Sequence, residues 1–471
     1  MIAVALCLVP APLLADDAVP AKTLAPVVVT APMQDMPLTV VTDPKAPRQP
    51  VPASDGADFL KSIPGFSTIR KGGSNGDPVL RGMAGSRLNI LINGGQVGGG
   101  CPSRMDPPTA YISPQLSDRV TIIQGPQPVL HVPGNSAGVV LFDRDFTRYT
   151  EPDYSVDASA LGGSWGRNDV NADLRAGTPS GYLGVSANRT HSQDYEDGNG
   201  DSVHSRYDRW NADVTVGWTP NDDTTVELSA GKGDGQAAYA FSGMDGASFL
   251  RESVGLKLVQ KHLSTHWDEL QVQVYRNYTD HVMDNYTLRD PNPASMMPMA
   301  MASEVDRDAQ GGRISGTWRW DDIVQLDAGV DGSVNVHDNR RGGPPGSPLG
   351  YYQDAPWTRD ARMQDIGAFG ELRWTFEPRQ RLIAGVRVDR ADTRGYTLTD
   401  DSMDGGTGGG MGGMPSSATV AANRASTLPA GFVRYERALN AAPATFYAGL
   451  GHVERFPGYW ELCGGNVYPL L

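Results

Sequence analysis

No run of about 20 apolar residues follows the N-terminal stretch of this chain, which excludes helices that cross a bilayer. Positive charge is in deficit. Forty Lys and Arg against 54 Asp and Glu leave a net charge of −14, the wrong sign for a chain whose main task is to bind a phosphate backbone. Cysteine is scarce, three in 471 residues, with no paired-cysteine zinc pattern among them. The HExxH and Walker patterns are missing as well, so no catalytic constellation emerges and no enzyme is expected. Glycine runs at 98–100 and within 404–413 lack the strand-to-helix setting of a phosphate-cradling loop. A hydrophobic content of 39% and a mean hydropathy of −0.36 are polar for a core-rich soluble enzyme. A large β-barrel passes both tests, because alternation makes half of each strand polar.

Met1 to Ala15 is apolar and ends in small residues before Asp16 and Asp17, like the core and cleavage site of a secretory signal that lacks its basic start. The expectation is an exported protein that loses Cys7 with residues 1–15 and keeps Cys101 and Cys463. Two cysteines in an exported chain pair by default. A metal role for Cys101 is preferred, because a disulfide does not account for the sulfur and imidazole groups placed with it. Residues 16–57 are rich in Pro, Ala, Asp and Val without a lasting period, and read as a flexible segment. Within it, LAPVVVTAP at 24–32 is a β-prone run suited to adding as a strand to a partner's sheet edge.

The chemistry concentrates in GGGCPSRMDPPTAY, residues 98–111. Pro102 suits the first position of a helical turn, and Asp106 before Pro107 is steered out of the helical region. One turn fits between them, and within it Cys101 and Met105, four apart, share a face. Far downstream, His281 and Met283 in YTDHVMDNYT stand two apart, so an extended strand points both the same way. One thiol, two thioethers and one imidazole form a soft set that suits Cu(I) far better than Mg, Ca or Mn.

From Asp58 to about Arg148 the pattern is globular, with a short helix and strands such as Arg87–Ile92 broken by Gly and Pro. Beyond residue 150 it becomes two-fold. Trp210, Ala212, Val214, Val216 and Trp218 oppose Asn211, Asp213 and Thr215. Val324 to His337 and Ile366 to Phe376 repeat the arrangement, as in the lipid-facing and lumen-facing sides of a transmembrane barrel. About 13 such strands fit residues 151–471.

DFLKSIPGF, VLRGMAGSRLNILINGG, DRVTIIQGP and GNSAGVVLF, in that order and spacing, resemble the plug domain of TonB-dependent outer-membrane receptors. PVVVTA ahead of them resembles the TonB box. CPSRM on the plug with HVM on the barrel narrows the resemblance to the copper-specific, OprC/NosA-like branch of that family. The resemblance implies an all-β antiparallel transmembrane barrel with an N-terminal α+β plug domain at 58–150 and the barrel at 151–471. It implies a bacterial outer-membrane location and copper import through a site made of Cys101, Met105, His281 and Met283. The partners it implies are outer-membrane lipid and TonB with its inner-membrane energising complex, contacted through Val27, Val28, Val29 and Thr30. Neither an organic cofactor nor nucleic acid is implied. A plugged transporter of this kind has about 22 strands, so the chain is expected to be a fragment of a longer protein or a truncated product.

Further methionines cluster in loops: Met296, Met297, Met299 and Met301 in ASMMPMAMAS, and Met403, Met411 and Met414 in SMDGGTGGGMGGMP. They are read either as thioether capture of Cu(I) at the outer mouth or as low-complexity loops. Met244 in FSGMDG is a candidate accessory contact. Asp197, Asn199 and Asp201 imitate a calcium loop, but Ser202 stands where glycine is needed and Asp208 replaces the closing Glu, so a polar turn is expected. Two rival functions remain: a receptor for a siderophore or other metal chelate, which would line its site with aromatic and basic groups, and an exported copper-binding protein without transport.

Overall fold

Asp55 starts the first helix by taking the Asp58 N–H on its carboxylate at 2.9 Å, capping α1 (Gly56–Leu60) and sending Phe59 and Leu60 inward. The computed structural model describes residues 33–46, 51–101, 104–125, 127, 129–145, 148–395, 424–439 and 444–462. Residues 1–15, the run 24–32 with Val27, Val28, Val29 and Thr30, and Met403, Met411, Met414 and Cys463 lie outside the described residues.

Around α1 fold β1 (Met33–Met36), β2 (Thr39–Thr42), β3 (Phe66–Gly72), β4 (Asn75–Leu80), β5 (Met83–Ala84), β6 (Leu88–Ile92), β7 (Gly95–Gln96), β8 (Arg119–Gln124) and β9 (Gly138–Asp143). β3, β4 and β5 make a small sheet, and the other six pair in the order β1-β2-β8-β9-β6-β7. Only β6 and β9 run parallel among these neighbours. Alternation along β8 buries Val120, Ile122 and Gln124 and leaves the residues between them half-buried. Val120 and Ile122 join Leu60, Ile63, Val140 and Phe142 in the plug core.

The second unit is a meander of long strands: β10 (Asp153–Gly162), β11 (Asn168–Thr178) and β12 (Gly181–Ser192), then a small hairpin of β13 (Tyr195–Glu196) and β14 (Ser202–Val203). It continues through β15 (Tyr207–Trp218), β16 (Thr224–Ala237), β17 (Asp245–Lys261), β18 (Trp267–Asp284), β19 (Ala302–Trp320) and β20 (Val324–Gly342). β21 (Thr358–Glu377), β22 (Gln380–Gly395), β23 (Arg424–Ala438) and β24 (Thr445–Val453) complete it. Among the described residues these form one 13-stranded sheet, the number expected from the alternation, in which each long strand pairs with the next. β10 and β24 are its edges among those residues. No helix among them is long and apolar enough to cross a membrane.

The two-fold pattern sorts as expected. On β15, Val216 and Trp218 are half or more exposed, while Asn211 is buried and gives its amide to the plug hydroxyl of Ser113 at 2.8 Å. Ile366 and Trp374 of β21 face out and Glu371 faces in. Trp267 and Trp318 stack at 5.6 Å near the strand ends, the place of an interfacial aromatic girdle. Inward polar side chains hold the plug largely by its backbone. Arg209 of β15 donates to the Ser74 carbonyl at 2.9 Å, and Lys45 of the plug sits between Asp118 at 2.8 Å and Asp173 of β11 at 2.6 Å. The loop that imitates a calcium site is a polar turn, with Asp197 accepting the Asn199 and Asp201 N–H groups at 2.8 and 3.1 Å.

Candidate metal centre

β18 supplies His281 and Met283 from its inward face, close to the loop end of the strand. His281 is fully buried. Its Nδ1 lies 2.8 Å from the Ser248 carbonyl, so that nitrogen carries the proton and donates it. The other nitrogen, Nε2, is buried and has no hydrogen-bond partner among the described residues. A buried polar atom left unpaired costs about 1–3 kcal/mol, so this lone pair is available to a ligand. Phe249 of β17 stands opposite His281 and packs its ring 4.4 Å away, fixing the imidazole plane. A bulge in β17 between Gly246 and Ser248 lies beside it, the kind of irregularity that re-aims groups at a site.

The plug supplies two further sulfur groups, on Cys101 and Met105. Cys101 is buried, and its Sγ lies 3.9 Å from the Sδ of Met283. Met105 and Met283 share one apolar cluster with Cys101, walled by Tyr111, Tyr239, Phe249 and Val305, and Met244 packs against it from the edge. One ligand atom each from Cys101, Asp106 and His281 lie within 4.8 Å of one another. The structure thus brings Cys101, Met283 and His281 together by direct proximity and Met105 through the shared cluster.

One expectation is corrected. The helical turn expected to carry Met105 is interrupted at Arg104, which has φ +52°, outside the helical region, while its N–H bonds the Cys101 carbonyl at 2.9 Å. A left-handed residue costs about 1–2 kcal/mol. A forked ion pair with Asp77 of β4, at 2.6 and 2.7 Å, holds Arg104 there and offsets that cost.

Asp106 was not expected at the site. Fully buried, it accepts the Cys101 N–H at 2.9 Å on one oxygen, and the Gly100 N–H and the Tyr111 O–H, each at 2.7 Å, on the other. With three donors on its two oxygens, this carboxylate organises the loop that carries Cys101. Burial, and then the Asp106 carboxylate, push the Tyr111 hydroxyl well above its ordinary value, so it remains a donor.

Among the loop methionines, Met296 and Met299 are exposed and Met297 and Met301 half-buried. Met297 lies against Gly243, next to Met244: a Cβ on that glycine would stand 2.5 Å from the Met297 Cε.

A TonB-dependent receptor plug domain model matches residues 32–139, and a TonB-dependent receptor-like β-barrel model matches residues 186–469. A solved structure of the copper transporter OprC is 53% identical with a TM-score of 0.86, covering 94% of this chain and 66% of that one. The FrpB iron transporter of Neisseria meningitidis (15% identical, TM-score 0.62, covering 87% and 64%) shares the fold alone. So does the Serratia marcescens hemophore receptor HasR, solved with its hemophore and heme (15%, 0.63, 88% and 63%). This chain therefore spans about two thirds of the length of each. With the plug model matching around Cys101 and the barrel model around His281, the chain belongs to the TonB-dependent receptor family.

Proposed function

We propose that this protein, in the bacterial outer membrane, binds copper as Cu(I) between plug and barrel and imports it to the periplasm with energy delivered through TonB. The carrying observation is the meeting of the Cys101 thiol, the Met283 thioether and the open Nε2 of His281 across the boundary between the two units. Thiolate and thioether donors select Cu(I), and one imidazole does not change that preference. Likeness to a copper transporter supports the same reading. The four ligands are Cys101 and Met105 from the plug and His281 and Met283 from the wall. A plug shifted by TonB, acting on Val27, Val28, Val29 and Thr30, takes its sulfur pair away from the wall pair and opens the set. Met296, Met297, Met299 and Met301, with Met403, Met411 and Met414, serve as weak thioether capture points, and Met244 as an accessory contact near the site.

Uptake of radioactive copper by cells at limiting concentration tests this reading. Cys101→Ala is expected to reduce uptake to the level of cells without the protein. Val28→Pro removes a backbone donor needed for strand addition, and is expected to stop uptake while purified protein still binds copper. Uptake unchanged by Val28→Pro would refute the TonB-driven step. Uptake unchanged by Cys101→Ala would refute the site and favour a receptor for a metal chelate.

A further inference from the structure

The glycine-rich approach to Cys101 is held by the barrel through its backbone. On β18, Asn277 and Thr279 lie on the same face as His281 and Met283. The Asn277 amide donates to the Gln96 carbonyl at 2.8 Å, and the Thr279 hydroxyl donates to the Gly98 carbonyl at 2.7 Å. In the ladder Thr279 stands opposite Arg307 of β19, and Arg307 opposite His337 of β20. Arg307 donates to the Gly99 carbonyl at 3.1 Å, and His337 Nε2 donates to the Gly100 carbonyl. Three side chains forming one row across three strands therefore meet three consecutive carbonyls, and the next residue is Cys101.

Contact this close explains the glycines. A Cβ at Gly98 would lie 2.5 Å from the Arg307 guanidinium, and one at Gly99 only 1.7 Å from the Asp106 carbonyl. The row is itself braced: Arg307 also binds Asn335, and the His337 ring binds Asp360 through Nδ1 and stacks on Tyr459 at 3.8 Å. None of these groups is a soft donor pointing at the sulfur cluster.

We propose that Thr279, Arg307 and His337 are positioning residues: they seat the strap of residues 96–100 and thereby set how long the metal remains between Cys101 and the His281–Met283 pair. The strap has to leave this row for the plug to move, so its grip governs release. This inference rests on the copper reading of the site and deepens it.

The test is the rate at which Cu(I), loaded anaerobically, passes from the purified protein to a chromophoric Cu(I) chelator in excess. Thr279→Val keeps the shape and removes the hydroxyl; it is expected to speed release about tenfold. Its copper stoichiometry and its near-ultraviolet thiolate-to-copper absorption should match the parent. Thr279→Ser, which restores the hydroxyl, should restore the slow rate, and Arg307→Gln should accelerate release as Thr279→Val does. Parental rates in both Thr279→Val and Arg307→Gln would overturn the proposal, as would a Thr279→Ser variant as fast as Thr279→Val. A Cys101→Ala control run beside them separates the two readings. If it has lost the copper while Thr279→Val and Arg307→Gln release at the parental rate, the strap fails and the site stands. If it keeps the copper, the site fails and the strap with it.

Discussion

Asp106→Ala is expected to abolish tight copper binding without removing a ligand. The carboxylate accepts from the Gly100 and Cys101 N–H groups and the Tyr111 hydroxyl, and all of it is buried. Alanine strands three donors in a place water does not reach. Each buried donor left unmade costs about 1–3 kcal/mol, so the three together destabilise the loop by roughly 3–9 kcal/mol unless it rearranges. Rearrangement is the cheaper outcome, and it moves Cys101 away from Met283. The isosteric Asp106→Asn separates geometry from hydrogen bonding. Asparagine still offers one acceptor oxygen, but its amide hydrogens face groups that are themselves donors, so binding should weaken by about tenfold to a hundredfold rather than vanish. Copper titration with hydrogen exchange across residues 98–106 measures both effects. Faster exchange in the loop together with lost copper is the expected pair of results. Copper lost with exchange unchanged would instead make Asp106 a ligand.

How far the sequence could be read depended on whether a feature repeats locally. Strands β15, β20 and β21 were legible because an apolar residue at every second position has a single physical meaning at a lipid face. Cys101 with Met105 and His281 with Met283 stood out as a candidate set because thiol, thioether and imidazole groups stand at short spacing in two segments, although only the His281–Met283 spacing falls on one face of a regular element. The helical turn between Cys101 and Met105 was misread for a nonlocal reason. Pro102 does favour a helical start, yet Arg104 answers to Asp77, 27 residues earlier in the chain, and that ion pair decides the backbone. Thr279, Arg307 and His337 could not be found from their own segments. Each is one polar residue on an inward face where polar residues are the rule, and only the ladder register lines them up against the plug. Glycines 98–100 were visible as a run but dismissed as a phosphate loop that failed; their role needed the barrel wall to be in place. Asp106 was read for its effect on the backbone before Pro107, when its side chain is what organises the turn.

Removing ligands from one side of the site at a time has the largest expected effect of all. Anaerobic Cu(I) titration should find one tightly held copper per chain in the parent protein. It should find none, over the same range, in Cys101→Ala or in a His281→Ala, Met283→Ala double variant. Changing groups behind the ligands of a metal site already costs about 10–100-fold in affinity. Loss of a ligand itself therefore exceeds about 100-fold. The two variants lie in different units of the fold, so equal loss in both requires one site shared across the boundary. A plug-only site would survive the double change, and a wall-only site would survive Cys101→Ala. Met283→Leu supplies the chemical control. Swapping Met for Leu conserves volume and usually costs under about 1.5 kcal/mol, so a folded variant with weakened copper assigns the loss to the sulfur. The 3.9 Å separation of the Cys101 and Met283 sulfurs places both within reach of a single ion. Ag(I), equally soft, should compete with Cu(I) for the parent protein and lose that ability in the same variants, while Mg(II) and Mn(II) should not compete in any of them. Competition by the hard ions would mean that carboxylates such as Asp106, rather than sulfur, hold the metal.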